Sequence, residues 1–421
     1  MFAHPEPVKP RPRPSERPNP GPWLALFAAG AAARVVPLLI GRSMAGPEWL
    51  PIASNLAHGL GLAANAAAGP IATAQVPPLA PWLASGVLRV AGPHPVALAL
   101  AFAVLGALVP LVVASLGMAV YGGGAGRWAG WICALDPLLV LAPAIESVAA
   151  LALATATLAT AAWIKTPRPG RALGVGMLWG IGALAHPALL ALPLLMAAWA
   201  WVPLGLTVAP RDRIRQTLLV FAGLATIVAP WTLRNAGAVH GFVPVNTGNG
   251  VALLAASSHR AWTDPALRGA PLTRDQLVAE HPEVAGRAEV ATDRLALERA
   301  AAHAAEHAPE ALAVIAPRAF GFAIAPLHPF DPWLTIAGAL LLPFWLWGAT
   351  RAATGARRLF QSVPVVIAAW FLARTLVFGT TTAARVPVEP MLALLAAVGL
   401  DDARRRARAW SHGLRVIPGR S

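Results

Sequence analysis

The 421-residue chain is 57% hydrophobic and only 12% charged, a membrane composition that excludes an ordinary soluble enzyme. Its formal charge of +14 would suit nucleic acid. The basic residues, however, cluster between apolar runs without interleaved aromatics on a soluble domain, so they read as topology signals and no nucleic-acid partner is expected. The single cysteine, Cys133, excludes an internal disulfide and any cysteine-based metal cluster.

Residues 1–22 are Pro-rich and basic, with Lys9, Arg11, Arg13 and Arg17, and are expected to form a disordered cytoplasmic tail. The run 23–41 is too long for a signal-peptide core and reads as an uncleaved first span. Arg34 inside it must snorkel or be paired. Residues 42–95 form a first large loop, with an amphipathic piece at 48–58 and a break at Val76-Pro77-Pro78-Leu79. Spans are predicted at 96–121, 127–144, 146–164, 172–185, 187–206 and 216–230, each with the apolar character a bilayer crossing needs. Gly122-Gly123-Gly124 makes a turn. Residues 231–332 are the one sizeable segment outside the membrane, with helices predicted at 274–280, 288–307 and 309–322 from Ala/Glu/Arg richness and apolar spacing. Spans at 333–350, 360–379 and 386–400 complete the transmembrane region, and 401–421 is a basic tail containing Arg404, Arg405, Arg406 and Arg408. The predicted fold is an all-α polytopic membrane protein of about ten spans with an extracytoplasmic helical segment.

With the amino terminus inside, Lys165, Arg168, Arg171, Arg211, Arg213, Arg215, Arg351, Arg357 and Arg358 fall on the inner side, as the positive-inside rule requires. The first loop and segment 231–332 then face outward. That face collects Glu48, Asp136, Glu146, His186, Arg234, Asn235, His240, Asn246, Asn249, Arg385 and Glu389. The stretch 229–250 is the richest. Pro230 disfavours further helix, and Trp231 suits the headgroup level. Arg234 and Asn235 offer a fixed charge and an amide, and Gly237, Gly241, Gly248 and Gly250 permit close backbone approach. This set fits a lipid-linked anionic substrate.

Pro230-Trp231-x-Leu233-Arg234-Asn235, followed by Gly241-Phe242-Val243-Pro244-Val245-Asn246-Thr247 and Gly248-Asn249-Gly250, resembles a conserved-type segment of the GT-C glycosyltransferases, especially the bacterial protein-mannosyltransferase-like and aminoarabinose-transferase-like members. Glu48-Trp49-Leu50-x-x-Ala53-x-Asn55-Leu56-x-x-Gly59-x-Gly61 and Val76-Pro77-Pro78-Leu79-x-Pro81 resemble the first loop of the same family. The resemblance implies a GT-C bundle in a bacterial inner membrane. It also implies transfer of a sugar from a polyprenyl-phosphate donor to a lipid, glycan or protein acceptor on the outer side, by inverting single displacement.

In the family a leading Asp of the first loop is the catalytic carboxylate. Here Ala45 or Gly46 stands in that position, and Glu48 is the nearby acid. Glu48 is therefore the candidate general base. The other readings are a base elsewhere or a catalytically inactive relative that binds polyprenyl lipid or scaffolds envelope assembly. A transporter or flippase would also place charges between spans, but no inverted repeat is visible. Arg234 and Arg385 are the candidates for the donor phosphate, which guanidinium forks match well. An Arg385–Glu389 helix pair is the quieter reading. Glu146, Asn235, His240, Asn246 and Asn249 are supporting polar residues. The resemblance admits a divalent metal ion as an aid; the sequence offers no ligand set beyond His186 as a single candidate. His303-Ala-Ala-Glu306-His307 matches an inverted zinc-peptidase pattern but lies in a solvated Ala-rich helix ended by Pro309, and no peptidase is expected.

Overall fold

The computed structural model describes residues 20–39, 49–67, 69–142, 144–201, 209–267, 269–324, 332–354 and 361–411. Most of the apolar runs read from the sequence are helical over most of their described residues, but the predicted span 127–144 is broken: Gly123–Leu135 ends at Asp136, which is extended and caps the short turn Pro137–Val140. The helices are Gly21–Leu39, Pro95–Tyr121, Gly123–Leu135, Ala144–Lys165, Pro169–Ala185, Leu192–Trp201, Pro210–Val239, Pro332–Thr354, Val363–Phe378 and Glu389–Ser411. Four are long and apolar enough to cross a membrane: Pro95–Tyr121, Glu146–Lys165, Arg211–Val239 and Thr335–Thr354. The chain is a multi-pass helical membrane protein.

Helix packing rests on small residues, because lipid tails offer apolar side chains no hydrophobic gain for pairing and close backbone contact must supply the attraction. Between Pro169–Ala185 and Pro210–Val239, a Cβ on Gly176 would lie 1.9 Å from the Val220 carbonyl oxygen, and one on Gly223 would lie 2.2 Å from that of Leu173. The same device joins Pro332–Thr354 to Glu389–Ser411. A Cβ on Gly348 would meet the Leu395 oxygen at 1.8 Å, and one on Gly399 the Phe344 oxygen at 2.1 Å. The last helix runs through the core: Met391, Leu392, Leu394 and Leu395 are all fully enclosed, alongside Leu153, Leu189, Ile367 and Phe371.

Three expectations change. Pro230 does not end its helix, which continues to Val239 and stops at His240 in the left-handed region at φ 52°. The extra turns pay for the lost amide hydrogen bond by packing Trp231 and Asn235 against the following loop. The first loop is not purely helical and irregular. It contains an antiparallel hairpin, Ala63–Ala66 with Gly69–Ala72, in which Ala63 pairs with Ala72 and Ala66 with Gly69. It also contains an amphipathic helix, Leu79–Ala91, that was not predicted. Within the segment 231–332 the predicted 309–322 helix divides into Ala308–Ala313 and Ile315–Ile324, and two unpredicted helices, Asn249–Ser257 and His259–Thr263, precede it. The predicted helix 274–280 is present as Arg274–Glu280, fixed by a Thr273–Gln276 capping box.

Arg34 resolves as neither snorkelled nor ion-paired. It is 1% exposed, with Nη1 donating to the Gly30 carbonyl at 3.0 Å. Its shaft lies against Gly106, where a Cβ would approach Nε to 2.7 Å.

Candidate functional site

The site is built where the end of Pro210–Val239 meets the loop 240–248 and the first-loop hairpin. Side chains on the last turns of the helix capture loop carbonyls. Trp231 Nε1 donates to Val245 O at 2.6 Å, and the Thr232 hydroxyl to Pro244 O at 3.1 Å. The buried Asn235 amide donates to Val243 O at 3.0 Å and Val245 O at 3.1 Å. Arg234 reaches the other way. Its Nη2 donates to Leu62 O at 2.7 Å and its Nη1 to Thr73 O at 2.6 Å, the two residues that flank the hairpin. Its guanidinium also lies 4.9 Å from the Trp231 ring. Asn55 closes the hairpin from inside, donating to Ala63 O at 2.9 Å and Asn65 Oδ1 at 2.7 Å.

Glu289, the first residue of helix Glu289–Glu306, ties the assembly together. It accepts from the Thr73 hydroxyl at 2.9 Å, from the Ala74 amide at 3.0 Å and from the Thr247 hydroxyl. The Thr247 amide in turn donates to Ala74 O at 2.8 Å. Segments 49–81 and 229–250 therefore meet on one side of the molecule.

Beside this assembly lies a groove of about 350 Å³. Its walls are Pro187, Ala188 and Leu190, the loop residues Pro244 to Asn246 with Asn249, and one face of Val363–Phe378 carrying Trp370, Arg374 and Phe378. Trp370 Nε1 donates to Ala188 O at 2.9 Å and joins two of the walls. Arg318, 3% exposed, bonds to the carbonyls of Leu376 and Gly269 at 2.8 and 3.0 Å and anchors the end of the same helix. Arg374 lies over the Phe378 ring at 5.1 Å. It makes no hydrogen bond or ion pair with any described residue. In the loop that lines the same groove, Asn246 donates to Thr247 O at 2.7 Å, while its Oδ1 is buried without a partner. A guanidinium with no ion pair among the described residues, in a groove that Asn246 and Asn249 also line, suits a ligand that carries an anion beside hydroxyls.

The sequence-predicted residues divide. Asn246 and Asn249 line the groove. Asn235 holds the Val243–Val245 stretch of the loop wall, and Arg234 braces the neighbouring hairpin. Arg385 is 3% exposed and paired with Glu389 in the core, Nε to Oε2 at 2.8 Å and Nη2 to Oε1 at 3.3 Å. Asp136, also buried, caps the turn Pro137–Val140 through the amides of Leu138 and Leu139. Glu146 stands at the start of its helix with Oε2 buried and unpartnered. His240 is an exposed helix terminus away from the groove lining. Glu48, with Ala45 and Gly46, lies outside the described residues; the adjacent Trp49 is buried against Phe102. Two functional residues escape sequence reasoning. Glu289 carries no signal in the chain. Arg374 does carry one, as an ionisable residue within an apolar run.

A metal does not fit around His186. Its Nδ1 is already used, accepting from the Ala188 amide at 3.2 Å, and its ring packs on Phe371 at 6.2 Å. Among the described residues no three His, Cys, Asp or Glu side chains are grouped to hold a metal ion.

No protein-family model and no curated protein sequence matches the chain. Solved structures do. The oligosaccharyltransferase of Archaeoglobus fulgidus, tethered to an acceptor peptide containing the NVT sequon, aligns with a TM-score of 0.56 at 16% identity, over 95% of this chain and 52% of that one. The archaeal enzyme AglB from the same organism, in complex with an inhibitory peptide and a dolichol-phosphate, gives 0.55 at 14% identity over 94% and 52%. ArnT from Cupriavidus metallidurans bound to undecaprenyl phosphate gives 0.42 at 15% identity over 93% and 80%. The chain spans about half the length of the archaeal enzyme. At this level of identity the likeness is one of architecture: the chain shares the fold of the part of the archaeal oligosaccharyltransferase that it covers.

Proposed function

We propose that the chain is a glycosyltransferase that moves a sugar from a polyprenyl-phosphate-linked donor to an acceptor on the outer side of a bacterial inner membrane. The observation that carries this reading is Arg374, a cation without a counter-charge in the groove that Asn246 and Asn249 line. A guanidinium there suits the donor phosphate. The two asparagine amides suit sugar hydroxyls, and the apolar residues Leu190, Val377 and Phe378 suit the first isoprene units. The shared fold with an enzyme solved with a dolichol-phosphate supports the same class of lipid. Basic clusters at Arg168 and Arg171 and at Arg211 to Arg215 support an orientation with the amino terminus inside and ten crossings.

In this reading the acceptor oxygen or nitrogen attacks the anomeric carbon, and the bond to the phosphate oxygen breaks on the opposite side, inverting the centre. Glu48 takes the acceptor proton, and Arg374 neutralises the departing polyprenyl phosphate. Arg234 acts by bracing the hairpin through the Leu62 and Thr73 carbonyls, and Arg385 by its pair with Glu389 in the core. No step is assigned to a metal.

The test is transfer from radiolabelled polyprenyl-phosphate sugars by the purified chain in nanodiscs. Arg374→Ala removes a charge-assisted contact and is expected to raise the donor KM roughly tenfold to a hundredfold. Glu48→Gln is expected to abolish turnover with donor binding intact. Donor binding without transfer by the wild type would favour a non-catalytic lipid-binding relative. A donor KM unchanged by Arg374→Ala would remove the groove from the reaction.

A further inference from the structure

The opposite end of the bundle carries a second site. Helix Pro95–Tyr121 begins beyond the first loop and, at 27 residues, travels roughly 40 Å before Gly123–Leu135 starts. There a pocket of about 290 Å³ is lined by Arg127, Trp128 and Trp131 from that helix and by Arg404, Arg405 and Arg408 from the last one.

The charges are unbalanced. Asp401 lies in the pocket wall and is paired with Arg405 at 3.3 Å. Arg404 lies over the Trp128 ring at 5.9 Å. Among the described residues Arg127, Arg404 and Arg408 have no ion pair. The neighbouring face of the same helix is different. There Asp402 accepts from Arg406 at 2.9 Å and from Trp347 Nε1 at 2.9 Å, with Arg351 at 3.6 Å. One face is neutralised by the protein and the other is left cationic around a cavity.

The shape beside the cavity is amphiphilic. Arg127, Trp131 and Leu135 recur every four residues, so they share one helix face. Trp131 is 41% exposed and Leu135 61% exposed. An apolar track thus leads directly away from the cationic pocket along the membrane-spanning direction. A soluble anion would have no use for it; a headgroup with an acyl chain would.

We propose that this pocket binds the phosphodiester headgroup of an anionic phospholipid, with an acyl chain along Trp131 and Leu135. The arginines grip the phosphate, and the tryptophans set the depth of the glycerol backbone. This site is independent of the outer groove and of any sugar transfer.

The experiment is native mass spectrometry of the full chain released from nanodiscs holding equal phosphatidylglycerol and phosphatidylcholine with matched acyl chains. The wild type is expected to retain phosphatidylglycerol preferentially. Each arginine is expected to contribute about fivefold, so Arg404→Gln with Arg408→Gln should reduce the preference by about 25-fold. Arg168→Gln with Arg171→Gln, at another basic loop, should leave it intact. Trp131→Ala, which keeps every charge, should shorten lipid retention and serves if the double variant does not fold. Equal retention of the two lipids by the wild type, or a preference unchanged in both pocket variants, would overturn the proposal. A thermal-shift arm separates the sources of phosphate: stabilisation by millimolar inorganic phosphate equal to that by phosphatidylglycerol would overturn the lipid assignment.

Discussion

The Thr73 hydroxyl donates to Glu289 at 2.9 Å, a contact between residues 216 positions apart in the chain. It joins the base of the first-loop hairpin to the first turn of helix Glu289–Glu306. The same carboxylate also receives the Ala74 amide and the Thr247 hydroxyl, so one side chain fixes three segments. Glu289→Ala leaves these donors without their charged acceptor and is expected to cost about 3 kcal/mol. Glu289→Gln, which keeps one carbonyl acceptor, should cost less. Thermal unfolding in detergent, with limited proteolysis of the 240–248 loop, checks both. Equal melting temperatures for all three proteins would contradict the joint.

Arg234 is a second brace with a distinguishable signature. Its two terminal nitrogens bond to the carbonyls of Leu62 and Thr73, a fork that a lysine ammonium cannot span. Arg234→Lys and Arg234→Ala are both expected to lower the melting temperature and to expose the hairpin to protease, with Arg234→Ala costing about 2 kcal/mol. A phosphate contact would behave otherwise: lysine would preserve most of the donor affinity. A brace instead leaves the donor KM of the folded fraction within about twofold.

The Arg385–Glu389 pair is enclosed in the core, each side chain 4% exposed. Removing one partner strands a charge. Glu389→Leu and Arg385→Met alone are each expected to cost about 3–5 kcal/mol, and the double substitution much less than their sum. A double-mutant cycle on unfolding free energy is the measurement. Additive costs would show that the two side chains are not coupled.

These residues also show what the chain made legible. The helix Pro95–Tyr121 was readable because hydropathy and length report membrane crossing directly. The Arg385–Glu389 contact was readable as an i,i+4 pair. The hairpin was not. Ala-Ala-Asn-Ala and Gly-Pro-Ile-Ala lack the alternating β-branched pattern of a strand, and its ends are held from outside by Arg234. Pro230 misled for the same reason: its local preference against helix is outweighed by contacts that Trp231 and Asn235 make farther on. Within the site, Asn246 and Asn249 were visible through their motif. Arg374 has no motif around it, and its importance lies in facing a groove without a partner, which only the packing of three separate segments creates.

The His-x-x-Glu-His pattern acquires a physical role without a metal. The His303 ring stacks on Trp262 at 4.9 Å and lies 4.2 Å from His307 and 6.4 Å from His259. Burial first, then the neighbouring His307 and His259, hold its pKa below the ordinary 6.5; Glu306 acts in the opposite sense, and His281 adds to the lowering. The fold therefore favours the neutral imidazole, and the unfolded chain takes up a proton at higher pH than the folded one. Below pH 6.5 the unfolded state binds more protons, so stability falls as pH drops from there toward the lowered folded pKa and is constant above it. Melting temperatures of the wild type are expected to decline between about pH 7 and pH 5. His303→Gln, which cannot take the proton, should flatten that part of the profile. The same decline in wild type and variant would place the pH sensitivity on other groups.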